Sequence, residues 1–295
     1  METPEKLSFQ RLSVASPSTP QSSSSTRLWR PAAQRNLRNQ WSKLAACRQR
    51  WASASSNGRS QATSLINAYL SQIYMPAMKL GVLSDFPDIK EKALRKFFKQ
   101  QELQRRKLLI TYKDLVTIVL DMIDISRSMR CYSKGATGSP LAQFSNCSDS
   151  TADAGDGGGI PVFRNWNIPQ FELLADELIQ MFKMELDIKR RLVVELLSIS
   201  SENSPVANAV TWSSELYPGE SEDLSRCILD STVTNQIPKS NLQCSINKTT
   251  KVDGEAVSKA MEVYLTVWLS EVNLDTDRLD EIFNLTGLEI QVNLK

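Results

Sequence analysis

Residues 160–199 read IPVFRNWNIPQFELLADELIQMFKMELDIKRRLVVELLSI, a short aromatic and proline-bearing entry followed by a long run of helical pattern. From about Pro169 to Ile199 the residues Phe171, Leu174, Leu178, Met181, Ile188, Leu192, Leu196 and Ile199 fall on one broad face. That spacing predicts an amphipathic helix. Phe163, Trp166 and Ile168, just upstream, are placed to fold over its first turns and fix the entry angle, in the manner of a hydrophobic staple.

On the N-terminal side of this stretch, residues 133–159 (SKGATGSPLAQFSNCSDSTADAGDGGG) break all periodicity and read as a flexible linker. Their Gly run lacks the Lys and Ser/Thr of a phosphate-binding loop. Before them, Leu108, Tyr112, Leu115, Val119, Met122 and Met129 repeat a 4-3 spacing, which predicts a helix from just after SDFPD to about Cys131. Asp85 or Asp88 is available as its N-cap. Leu37, Trp41, Leu44, Trp51, Leu65, Tyr69 and Ile73 follow the same 4-3 pattern from Pro31 onward. The seam positions between them hold Arg48, Ser55, Gly58 and Ala62, so the middle of this helix is either weakly packed or meets a close neighbour. It should end near MPAMKLG, where Pro76 removes a hydrogen bond and Gly81 suits a left-handed cap. Residues 31–132 therefore read as a long antiparallel hairpin, and the Ser-rich residues 1–30 as a disordered tail.

On the C-terminal side, residues 201–250 are polar, carry turn signals such as YPGE and IPKS, and look like a long insertion. A further helix follows in EAVSKAMEVYLTVWLSEV, aligning Val257, Met261, Tyr264, Leu265 and Trp268, then a short one in DTDRLDEIFNLTG that should stop at a C-cap Gly287. Residues 160–290 thus complete the bundle. The expected fold class is all-α, an antiparallel helical bundle with long coiled-coil-like helices.

Net charge is +2 but unevenly spread. Between Lys6 and Ser84 there are eleven Lys and Arg and no Asp or Glu, whereas the segment beyond residue 132 is strongly acidic. Such halves can dock on each other, or the basic one can face an acidic partner. The five cysteines are scattered without CxxC spacing, so neither a disulfide framework nor a zinc site is indicated. No run approaches the length of a membrane span and no secretory-signal pattern opens the chain. The Arg- and Ser-rich, acid-poor first 60 residues also fit an organellar transit peptide.

The sequence contains no histidine. The usual general base and the commonest metal ligand are thereby missing, and Ser/His or Cys/His nucleophile pairs are excluded. Carboxylates such as Glu185, four residues before Lys189, read as ordinary i,i+4 ion pairs on solvated faces. The expectation is a protein without catalytic activity or cofactor. A nucleic-acid reading places Arg35, Arg38 and Arg50 on phosphates, with Trp29, Trp41 and Trp51 available for stacking. Thr3, Ser16, Thr19, Ser139 and Ser204 each precede proline and are candidate phosphorylation sites.

Pro161, Phe163 and Trp166, then MFKMEL, KR at Lys189 and Arg190, and EL at Glu195 and Leu196, together with YLTVWL from Tyr264 to Leu269, carry a resemblance to the cyclin-dependent kinase 2-interacting protein family. WSKL and the pair Trp51 and Gly58 are similar more loosely. The chain departs from the family's pattern in the Gly-rich linker, the 201–250 insertion and the wider Trp41 to Trp51 gap. The resemblance implies a nuclear helical adaptor that pairs with a second small helical subunit and a AAA ATPase in ribosome maturation and genome maintenance. Cyclin-dependent kinases and replication or checkpoint proteins are further implied partners. On this reading an exposed bundle seam binds the partner, and the candidate partner-facing residues are Phe163, Trp166, Met181, Tyr264 and Trp268.

Overall fold

The computed structural model describes residues 23–132, 154–199, 215–228 and 254–294. Among the described residues there are six α-helices and no strand, so the chain is all-α. Helices α1 (Ser23–Tyr74) and α2 (Ile89–Arg127) form the antiparallel hairpin, joined through 3-10 turns at Met75–Ala77 and Gly81–Asp85. Its register is fixed along the whole length. Asn36 donates to the Ser128 carbonyl (2.8 Å), Arg50 meets Asp121 (2.7 Å), Thr111 donates to Gln61 (2.9 Å) and Gln101 to the Ala68 carbonyl (3.4 Å). The 4-3 residues Leu37, Trp41, Leu44, Trp51 and Leu65 of α1, and Leu108, Tyr112, Leu115, Val119 and Met122 of α2, are all buried. A strict 4-3 repeat keeps one face of each helix turned to its neighbour, which is why the pattern translates so directly.

Three local features differ from expectation. The first helix begins at Ser23, not at Pro31, so the tail expected over residues 1–30 is helical in its last part. Trp29 is buried, donates its indole N–H to the Cys131 carbonyl and has the outer edge of its ring against Gly157. That burial holds the helix together across Pro31. Gly157 has φ +68, and a Cβ there would overlap the indole, so residues 154–159 of the expected linker are folded around Trp29. At the start of α2, Asp88 sits in the left-handed region (φ 61) and its side chain makes no cap.

Helix α3 (Ile168–Ser198) runs antiparallel to α2, with Arg130 on Glu172 (2.7 Å) and Ser126 on Asp176 (3.1 Å). Its start is a reciprocal capping box between Asn167 and Gln170, with Pro169 in the first turn. Trp166, at the position before the cap, stands edge-on to Phe171 (5.2 Å between ring centres), and Phe163 packs on the same ring (5.7 Å). This is the staple geometry that the aromatic entry implied.

Helix α6 (Thr276–Ile290) lies against α3 through Arg278 and Glu177 (2.6 Å). It continues past Gly287, correcting the expected C-cap, because Ile290 is fully buried and carries the helix on to a left-handed Gln291. Gly287 instead admits the returning chain: a Cβ there would sit 2.7 Å from the Val292 carbonyl oxygen.

The Glu289 carboxylate fastens the α3 entry by accepting the backbone N–H groups of Asn165 (2.6 Å) and Trp166 (3.0 Å). Burial opposes its ionisation, but these amides outweigh that and hold its pKa below the ordinary 4.5. A carboxylate with a depressed folded pKa stabilises the fold above its ordinary value and loses that contribution as pH falls through the lower one. The protection factors of the Asn165 and Trp166 amides, that is exchange relative to the intrinsic rate at each pH, should therefore fall selectively on acidification below about pH 4.5. A Glu289→Gln variant should show the lower protection already at neutral pH.

The polar insertion expected over 201–250 contains a docked helix, α4 (Glu220–Ile228). Glu220 is buried and accepts from the Tyr112 hydroxyl (2.6 Å), Arg190 Nε (2.9 Å) and the Leu216 backbone N–H (2.7 Å). Burial and the carboxylate together push the Tyr112 phenol far above its ordinary range. Glu220→Ala would strand Tyr112 and Arg190, costing about 2–3 kcal/mol. The expected result is undocking of α4, read as new tryptic cleavage after Arg226 while helix content outside α4 is retained.

Candidate functional site

Helix α5 (Gly254–Ser270) packs against α1 and α3, and the three meet at a buried cluster of charges. Two features of α1 make room for it. Ser55 and Gly58 are the small seam positions, and Trp268 of α5 lies against them, with Cζ2 only 2.5 Å from where a Gly58 Cβ would stand. The Trp268 indole N–H donates to the Ser55 carbonyl (3.0 Å). The close neighbour that the small residues called for is this indole.

Beside Trp268 lies Lys189 of α3, whose side chain and that of Glu185 are both 0% exposed. The ammonium sits over the indole (4.6 Å to the ring centre) and donates to the Trp268 carbonyl. That oxygen belongs to the last turn of α5, where carbonyls lack helical partners and the helix dipole is negative, so Lys189 serves as a C-terminal cap supplied by another helix. Its carboxylate neighbours are Glu185 Oε1 at 3.4 Å and Glu271 Oε1 at 3.6 Å. Both separations exceed a good hydrogen bond, and Glu185 Oε1 accepts no hydrogen bond.

The carboxylates are anchored by other groups. Glu185 Oε2 accepts from the Asn273 backbone N–H (3.1 Å). Glu271 Oε1 accepts from the Ser55 hydroxyl (2.6 Å) and the Trp51 indole N–H (3.2 Å), and its own backbone is left-handed (φ 44). Burial pushes the Glu185 carboxyl above its usual range, only partly offset by the Asn273 backbone N–H and by Lys189, and pushes the Lys189 ammonium below its own, only partly offset by Glu271 and Glu185. Glu185 and Lys189 are thus not the solvated i,i+4 pair their spacing suggested. With both side chains sealed, the cluster is equipped to lock α3, α5 and α1 in register.

The candidate partner-facing residues are placed mostly inward. Phe163, Met181 and Trp268 are buried, and Trp166 and Tyr264 are half-buried against the core. Phe163 and Trp166 precede α3 and pack on Phe171, whereas Met181, Tyr264 and Trp268 sit on helix faces turned toward the core. Of the three candidate phosphate-binding arginines, Arg35 is exposed, Arg38 donates to the Ile290 carbonyl (3.0 Å) and covers the Phe163 ring, and Arg50 is held by Asp121. Trp29, Trp41 and Trp51 are buried and offer no stacking platform. Thr3, Ser16, Thr19, Ser139 and Ser204 lie outside the described residues.

No family model matches this chain, and no curated protein or solved structure matches it either. Among the described residues no helix is long and apolar enough to cross a membrane, and no group of three or more Asp, Glu or Cys is placed to hold a metal ion.

Proposed function

We propose that the chain is a non-catalytic helical adaptor of the kind its resemblance to the cyclin-dependent kinase 2-interacting protein family implies. It pairs with a second small helical subunit and tethers a AAA ATPase in the nucleus, in ribosome maturation and genome maintenance, with cell-cycle kinases and replication or checkpoint proteins as further partners. One observation supports the reading more than any other. The two blocks that carry the resemblance lie on either side of the 201–250 segment, yet Glu185 and Lys189 of the first meet Trp268 of the second in the buried cluster. Residues that look like a family signature are those that close this bundle, as expected of a scaffold whose defining residues serve shape rather than chemistry.

The experiment is affinity purification of the tagged full-length chain from its own cells at moderate salt, followed by mass spectrometry. Co-elution of a AAA ATPase with a second small helical protein supports the adaptor. Recovery of nucleic acid that disappears on nuclease treatment, with no ATPase, would replace the adaptor by a nucleic-acid binder.

A further inference from the structure

At its turn end the α1–α2 hairpin extends beyond α3. Helix α3 stops beside Arg105, whose guanidinium donates to the Ile199 carbonyl, and from there back to Ile89 helix α2 continues for roughly 24 Å at 1.5 Å per residue. This end presents large apolar side chains to solvent. Val82 is 88% exposed and Phe86 58%, and Tyr74, Met78, Leu83 and Phe98 are exposed with them. Between Tyr74 and Lys107 the chain carries nine Lys and Arg against four Asp and Glu. Lys92, Lys96 and Lys99, a 4-3 stripe on α2, are exposed and form no ion pair with the described residues.

We infer that this free hairpin end is the docking surface for an acidic amphipathic helix of a partner protein. Exposed apolar side chains on a basic hairpin end match a helix with an apolar stripe and flanking carboxylates, which would bury the exposed side chains and neutralise the lysines together. Charge selects the occupant. A second copy meeting the first tip to tip would bring a second basic surface against it. The chain's own remaining segments, residues 1–22, 133–153, 200–214 and 229–253, each carry at most one net negative charge. Nucleic acid has no use for the aliphatic Met78, Val82 and Leu83, and an anionic membrane would be met by Asp85 and Asp88 on either side of Phe86.

The inference rests on the adaptor reading and names the surface it uses. Its test is full-length chain screened against a displayed library of amphipathic helices that vary in charge. Enriched peptides are then measured by fluorescence anisotropy against wild type, Lys92→Glu/Lys96→Glu/Lys99→Glu and Val82→Asp/Phe86→Ser. All substituted side chains are exposed, so unchanged melting verifies the fold. Acidic helices should be enriched, bind at least tenfold more tightly than their Glu→Gln counterparts and lose at least tenfold on either variant. Enrichment without acidic preference, or acidic peptides that bind both variants unchanged, would overturn it. So would tip-dependent binding of a single-stranded oligonucleotide or phosphatidylserine vesicles in place of peptides. If the library fails while the ATPase still co-purifies with both variants, the tip is wrong and the adaptor stands; absence of any protein partner condemns the adaptor itself.

Discussion

Replacing Lys189 by methionine should cost about 3–5 kcal/mol of stability, because it removes one partner of a sealed ion pair and leaves Glu185 as a buried charge without compensation. It also leaves the Trp268 carbonyl at the end of α5 without its donor. For a chain of this size the melting temperature should fall by roughly 6–20 °C. The companion measurement is the pair Lys189→Met with Glu185→Leu, which removes both charges and should recover most of the loss. A pH series adds a second signature. Burial already raises the Glu185 pKa above 4.5, and loss of the ammonium raises it further. A carboxylate whose folded pKa is raised loses stability as pH climbs from its unfolded to its folded value, so the deficit of Lys189→Met should shrink toward pH 4.5 and be largest at neutral pH. A single variant within about 1 kcal/mol of wild type would mean that the cluster does not hold the three helices together.

Trp268→Ala should be as damaging, at about 3–5 kcal/mol, through the cavity it leaves between α1, α3 and α5. Gly58 provides the diagnostic. Helix propensity alone says that Gly58→Ala stabilises α1 by about 1 kcal/mol. Packing says the reverse, since the new Cβ would stand 2.5 Å from the indole and 3.3 Å from Thr111 Cγ2, and overpacking of this kind costs about 1–3 kcal/mol. The indole cannot simply swing aside, being tied by its N–H to Ser55 and covered by Lys189. In the Trp268→Ala background the clash is gone, and Gly58→Ala should become neutral or stabilising. Chemical denaturation of the four proteins reads the cycle directly. Additive effects would remove the contact from the account.

The hairpin was legible because a 4-3 repeat of large apolar residues has one physical solution, a long face covered by a neighbour. The same logic read Ser55 and Gly58 as either a weak spot or a place of close approach, and Trp268 settles it as the second. The charged cluster was hidden because Glu185 and Lys189 have the spacing of any solvated pair. One helix carries no record of which helix will cross it, and burial here comes from Trp268 and Glu271, some eighty residues away. Helix α4 escaped for a related reason: its key residue is a glutamate, and nothing in a polar stretch announces that a tyrosine and an arginine will receive it. Asn167 followed three residues later by Gln170 was a readable cap that the aromatic entry overshadowed. Gly287 was readable but ambiguous, since glycine serves equally to end a helix and to let backbone approach one.

The meeting of Trp268 with Ser55 joins residues 213 positions apart. At about 5–20 residues per second of synthesis, α1 waits roughly 10–40 s after Ser55 is made before the ring that fills its seam exists. During that interval the hairpin can form, because its contacts are sequential, but the groove at Gly58 faces solvent with Trp51 beside it. A chain cut before residue 268 lacks the ring that fills this groove.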